Sequence, residues 1–145
     1  MYHLVYTSTA TVHFTAAELQ QFLVWWRASN SQLGVTGILL YSNEGDIIQV
    51  LEGEQPQVED LFAVIERDLR HRHVLKLAAG PIKQRLFGEW CMSFRLLDSA
   101  AFYSLVGYAN PDEPLLLPAA SGGTDTELLQ LLSEFASSHP DALPR

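Results

Sequence analysis

The sequence predicts an α+β sandwich, and three observations carry that prediction. Five short stretches of residues 1–97 read as strands and two as amphipathic helices, in the order β-α-β-β-α-β-β. The second and third strands, "VTGILLYS" (35–42) and "DIIQVLEG" (46–53), are separated only by "NEG", a tight turn whose glycine accepts positive φ. Both helices open on recognisable start signals. Two helices and an antiparallel-rich sheet in this order make a ferredoxin-like sandwich with both helices on one face.

Each element has its own reason. "YHLVYTS" (2–8) alternates, with Tyr2, Leu4, Tyr6 and Ser8 on one face. "TAAE" (15–18) has the capping-box form, and Leu19, Phe22, Leu23 and Trp26 follow at helical spacing. That helix should stop near "ASNSQLG", where Asn30, Ser31 and Gly34 favour a turn. Pro56 suits the first turn of a second helix, whose stripe is Val58, Leu61, Phe62, Ile65 and Leu69. A fourth strand falls within 70–82 and a fifth within 89–97; the fifth sets Trp90, Met92 and Phe94 against Cys91, Ser93 and Arg95. The sheet face away from the helices also carries apolar residues, Val5, Ile48 and Val50, and needs cover. Residues 99–137 can supply it, with two additional C-terminal helices at 100–109 and 124–137 and a frayed end. The expected division is therefore a folded unit over 1–97 and a helical extension over 98–145.

Composition narrows the function. A length of 145 residues, 48% of them hydrophobic, suits one domain with a real core. The net charge of −8 argues against nucleic acid or an anionic membrane as partner. Residues 98–145 hold seven acids and one base, so the extension is the acidic piece. A single cysteine allows no internal disulfide, and no apolar run reaches the ~20 residues that span a bilayer. The expectation is a cytoplasmic protein. No P-loop, dinucleotide fingerprint, nucleophile elbow or metal-ligand spacing is present, so no metal site is expected.

The chemistry then rests on polar residues in apolar settings. Gln49 shares its strand face with Ile47 and Leu51, and an unmet amide there would cost roughly 1–3 kcal/mol. In the expected sheet the first and third strands are central neighbours, so the Tyr6 hydroxyl and the Gln49 amide can meet on the helix side. Asn30 ends the first helix near the same edge. Taken singly, these residues read as a core tyrosine, a structural amide and a helix terminator, and Trp90 and Met92 read as core.

Together they form a pattern. The segments "LVYTS", "SNSQLGVTGILLY", "IIQVLEGE", "IERDLRHRHV" and "GPIKQRLFGEWCMSF" resemble the BLUF family, blue-light sensors using FAD, along residues 1–97. The resemblance implies a flavin between the two helices, FAD with FMN left open, its ring edge toward Tyr6 and Gln49. It implies that Asn30, with Ser29 beside it, holds the ring's O4/N3 edge, and that Asp68, Arg70 and His71 contact the far edge and ribityl region. It implies a cycle in which light excites the flavin, Tyr6 gives an electron, its proton moves through Gln49, and the rearranged amide shifts the absorption slightly red. Trp90 and Met92 on the fifth strand would relay the change. Set against the family it resembles, the chain has Ser29 where many relatives carry a larger polar side chain and Val64 where some carry a basic one, which implies fewer ring-edge contacts and looser ribityl or phosphate binding.

The expected output is a binding change rather than catalysis, since no further catalytic domain fits in 98–145. Self-association into a homo-oligomer and contact with a separate regulatory protein are the implied partners. The competing reading is a ligand-sensing module or small enzyme without flavin, for which Tyr6, His3 and Arg27 would be the candidates.

Overall fold

The computed structural model describes residues 1–11, 14–42, 44–88 and 93–97. Its elements are β1 (Tyr2–Ala10), α1 (Ala16–Leu33), β2 (Thr36–Ser42), β3 (Asp46–Gly53), α2 (Gln55–Glu66), β4 (His71–Pro81) and β5 (Ser93–Leu97). The sheet order is β4-β1-β3-β2-β5. All neighbours are antiparallel except β2 and β5, which run parallel. The first four strands have the order of a ferredoxin-like sheet, and β5 extends it beside β2.

The start and stop signals act as their chemistry requires. Thr15 Oγ1 accepts from the Glu18 N–H at 3.1 Å, and the Glu18 carboxylate accepts from the Thr15 N–H at 3.1 Å. α1 ends on Gly34, in the left-handed region at φ 69°, whose N–H bonds the Asn30 and Ser31 carbonyls. Gly45, at φ 95°, closes the β2–β3 turn by donating to the Ser42 carbonyl at 3.0 Å. α2 ends earlier than its apolar stripe suggested. Asp68 accepts from the Arg70 N–H at 2.9 Å, which turns the chain, and Leu69 stands 90% exposed beyond the helix instead of continuing the stripe.

The edge strand β4 is not regular. Its register against β1 slips between Val5 and Tyr6 and again between Thr7 and Thr9, and His73 adopts φ 55° in the second irregular stretch. Such bulges bend and twist an edge strand.

Two faces result. Leu4, Tyr6, Leu39, Tyr41 and Leu51 meet Leu19 and Leu23 of α1 and Val58 and Phe62 of α2 in the core. On the opposite face Val5, Ile38, Leu40, Ile48 and Val50 are also at most 1% exposed. The two C-terminal helices expected to cover this face, and the 98–145 extension as a whole, lie outside the described residues.

Glu52 on that second face is a feature the sequence reading passed over. Its carboxylate is fully buried and accepts from Thr36 Oγ1 at 3.0 Å, the Leu86 N–H at 2.7 Å and the Phe87 N–H at 2.9 Å. Arg85 adds bonds to Thr36 Oγ1, the Glu52 carbonyl and the Gly34 carbonyl. The segment after β4 is thus pinned to the sheet by charge-assisted hydrogen bonds. Glu52→Ala leaves two backbone donors without an acceptor. The expected loss is about 3 kcal/mol of unfolding free energy, read from the urea midpoint at unchanged slope. A loss under about 1 kcal/mol would show that water replaces the carboxylate.

Candidate functional site: a ring-sized cleft between two helices

β1 and β3 place Tyr6 directly opposite Gln49. Both side chains face the helices, and the Tyr6 hydroxyl donates to the Gln49 side-chain carbonyl in a short hydrogen bond. Tyr6 is 3% and Gln49 8% exposed, so the pair is withdrawn from water. Burial, followed by the charge of Asp68, pushes the Tyr6 pKa well above the ordinary phenol value. The phenol therefore stays protonated and keeps its role as donor. Phe62 packs against its ring at 5.4 Å, and His71 meets it edge-on at 6.2 Å.

A cleft opens above this pair, holding about 720 Å³ of atom-free space including its open mouth. The sheet contributes Tyr6, Leu39, Tyr41, Ile47 and Gln49; α1 contributes Leu19, Trp26 and Asn30; α2 contributes Leu61 and Ile65. Asp68, Arg70 and His71, just past α2, and Phe14 complete the lining. Asn30 apart, the lining from the two helices is apolar, while Tyr6 and Gln49 make a polar floor and Asp68, Arg70 and His71 a polar end.

Asn30 carries two tasks. Its backbone carbonyl accepts from the Val35 N–H at 2.8 Å and closes α1, while its side chain is buried in the cleft wall. Ser29, the adjacent residue, is exposed and does not line the cleft, because one step along a helix turns the side chain by 100°. His71 Nε2 faces the Ile65 carbonyl, which can only accept, so Nε2 carries the proton. In the neutral ring Nδ1 then accepts from Ser8 Oγ at 2.9 Å. The imidazole is fixed between β1 and the end of α2.

Arg70 pairs with Asp68 through Nε at 2.9 and 3.0 Å and through Nη2. The guanidinium also lies over the Phe22 ring, 4.6 Å from its centre. The Arg70 hydrogen bonds hold the Asp68 carboxyl below its ordinary pKa, against the opposing effect of burial. A depressed native pKa stabilises the fold above the unfolded value of about 4 and is lost as pH falls through the native value. Wild type is therefore expected to melt above Asp68→Asn at neutral pH, with the gap closing below about pH 4. A gap that persists in acid would contradict this coupling.

The sequence-based site thus comes together in part. Tyr6, Gln49, Asn30, Asp68, Arg70 and His71 line one cleft. Trp90 and Met92 lie outside the described residues. Phe14, Leu39, Tyr41, Ile47, Leu61 and Ile65 were not read as site residues. Leu39, Tyr41 and Ile47 had only strand parity and Leu61 and Ile65 only helical spacing, which mark core and ligand wall alike, and Phe14, outside every element, had no signal.

A flavin fits this donor set. Its planar, apolar ring matches walls such as Trp26, Leu61 and Ile65, and its polar edge of carbonyl and N–H groups matches the side-chain amides of Asn30 and Gln49, each both donor and acceptor. Among the described residues no cluster of three or more His, Cys, Asp or Glu could hold a metal, and no helix is long and apolar enough to cross a membrane.

Comparison with known proteins agrees. BlsA in its photo-activated state superimposes with a TM-score of 0.70 at 27% identity, covering 91% of this chain and 94% of that one. The BLUF protein BlrB in its dark state gives 0.66 at 28% identity, covering 92% and 96%. Subunit alpha of the photoactivated adenylate cyclase of Euglena gracilis is 43% identical over 70 residues, 48% of this chain. This match spans only 7% of the cyclase subunit's length. Residues 1–93 match the family described as sensors of blue-light using FAD, whose domains bind FAD or FMN. The chain belongs to the BLUF family and carries a flavin-binding blue-light sensor domain.

Proposed function

We propose that this protein is a photosensory signalling protein, not an enzyme, in which Tyr6 and Gln49 form the light-responsive relay. The observation that carries this reading is their direct pairing across β1 and β3, hydrogen-bonded and buried at the floor of the cleft. Bound flavin supplies the light absorption and an excited state able to take an electron. Tyr6 is the donor: its phenol is protonated, oriented on Gln49, and shielded from water. The Tyr6 proton would leave through Gln49 with the electron and return with it to Tyr6, leaving the amide turned over, since that amide offers a donor and an acceptor from one side chain. Asn30 orients the ring edge. Asp68 and Arg70 hold the far edge, and His71 fixes the wall behind Tyr6.

The two amide arrangements are two states of which the dark one lies lower in free energy; light populates the other, which returns thermally. Trp90 and Met92 pass the change toward β5. The 98–145 extension is the output and self-association segment, acting on a further copy and on a separate regulatory protein. Truncation after Leu97, with oligomer size measured in dark and light, tests that part. An oligomer size that ignores both light and truncation would remove the extension from the output.

Tyr6→Phe tests the relay itself. The ring remains to pack on Phe62, so flavin should stay bound while the light-induced red shift disappears. A full shift in Tyr6→Phe would contradict Tyr6 as donor.

A further inference from the structure

The cleft does not end at its lining. Phe22 lies three residues before Trp25 and four before Trp26, the spacings at which side chains on one helix touch. Its ring stacks on Trp26 with centroids 5.7 Å apart and meets Trp25 edge-on at 6.1 Å. Phe22 also meets Phe14 at 5.2 Å. Trp26, Phe14 and Arg70 belong to the cleft wall, and the Arg70 guanidinium covers the Phe22 ring. A continuous aromatic surface therefore runs from the cleft over Phe22 to Trp25, with a cation beside it.

Trp25 is the anomaly at the end of this surface. It is 57% exposed, in a chain whose other cleft-side aromatics are half-buried or buried. An indole left in water forfeits the burial that usually accounts for a tryptophan. An exposed aromatic face two ring contacts from a ring-binding cleft, beside a guanidinium that is ion-paired with Asp68, suits a nucleobase tethered to that ring.

We propose that Phe22 and Trp25 form a subsite for the adenylate arm of a flavin dinucleotide, with Trp25 as the stacking platform and Arg70 flanking the phosphates. This rests on the flavin reading above. Trp25 stands only two ring contacts from the cleft wall. The ribityl, pyrophosphate and ribose units joining ring to adenine are long enough to cover that path. The chain would then prefer FAD over FMN through a contact that the ring site does not make.

The test uses the full chain stripped of flavin and titrated calorimetrically with riboflavin, FMN and FAD, as wild type, Trp25→Ala and Trp25→Phe. Stacking of a base on an aromatic side chain persists at high salt, whereas a charge contact fades. Wild type is expected to bind FAD roughly tenfold tighter than FMN at high salt. Trp25→Ala should lose that margin while keeping its FMN and riboflavin affinities, and Trp25→Phe should retain most of it. Equal wild-type affinities for FAD and FMN would overturn the subsite and leave the sensor reading intact. Equal weakening of all three ligands in Trp25→Ala would also overturn it, since Trp25 would then serve the fold. A changed oligomer size with unchanged affinities would make Trp25 a protein contact instead. Failure of all three flavins to bind wild type would remove both readings at once.

Discussion

Gln49→Leu keeps flavin bound and abolishes the light-induced red shift. Leucine nearly matches glutamine in size, and the cleft around position 49 is already apolar, with Leu39 and Ile47 beside it. The walls that hold a planar ring are therefore unchanged. What disappears is the acceptor for the Tyr6 hydroxyl and the group that rearranges toward the ring edge. The buried phenol loses its partner, at a cost of about 1–3 kcal/mol, which a domain of ordinary stability survives. The expected data are a flavin absorption band in the purified variant and a flat light-minus-dark difference spectrum. A reversible red shift surviving in Gln49→Leu would show that the hydrogen bond to the ring comes from elsewhere.

Gly37→Ala is expected to be the most damaging single-methyl change in the described sheet. A Cβ at this position would sit 1.9 Å from the Val50 carbonyl oxygen and 2.9 Å from its carbon, both backbone atoms of the neighbouring strand. Neither can rotate away as a side chain would, so β2 and β3 must separate and their ladder must break near Gly37↔Leu51. β3 carries Gln49, and the distortion reaches the cleft floor. Overpacking in a core usually costs about 1–3 kcal/mol, and this contact belongs at or beyond the upper end. Gly34→Ala is the control. Nothing lies within 4 Å of its added Cβ, and only the left-handed φ of 69° opposes it, a cost of about 1–2 kcal/mol. Urea unfolding of the two variants should rank Gly37→Ala well below Gly34→Ala. Equal midpoints would mean that the β2–β3 approach relaxes cheaply.

Much of this was legible in the sequence because the signals were local. Capping chemistry at Thr15 and Glu18, the turn glycine Gly45 and the helix-ending Gly34 are each recognisable within a few residues, and each acts as its chemistry requires. The central position of β1 and β3 followed from the element order, and with it the meeting of Tyr6 and Gln49. The resemblance to BLUF proteins added Asp68, which alone reads as a solvated helix end, and Arg70 and His71, which alone read as a surface loop.

The rest depended on three dimensions. Glu52 has no local signature, since its partners Leu86 and Phe87 are more than thirty residues away. The helical stripe continued to Leu69, but the Asp68 turn breaks α2 first, a competition between periodicity and a side-chain-to-backbone bond. Ser29 adjoins Asn30 in sequence yet faces water. Trp26 fell on the apolar stripe of α1 and Trp25 off it, but periodicity does not tell that Trp26 walls a cleft or that Trp25 stands exposed beside it.

The most direct measurement is the visible spectrum of the purified wild-type protein, in the dark and after a blue flash. A flavin band that shifts slightly red and returns thermally to its dark position is the expected result. Bound flavin with no reversible shift, or no binding on reconstitution with FAD or FMN, would contradict the Tyr6–Gln49 relay as the basis of light sensing here.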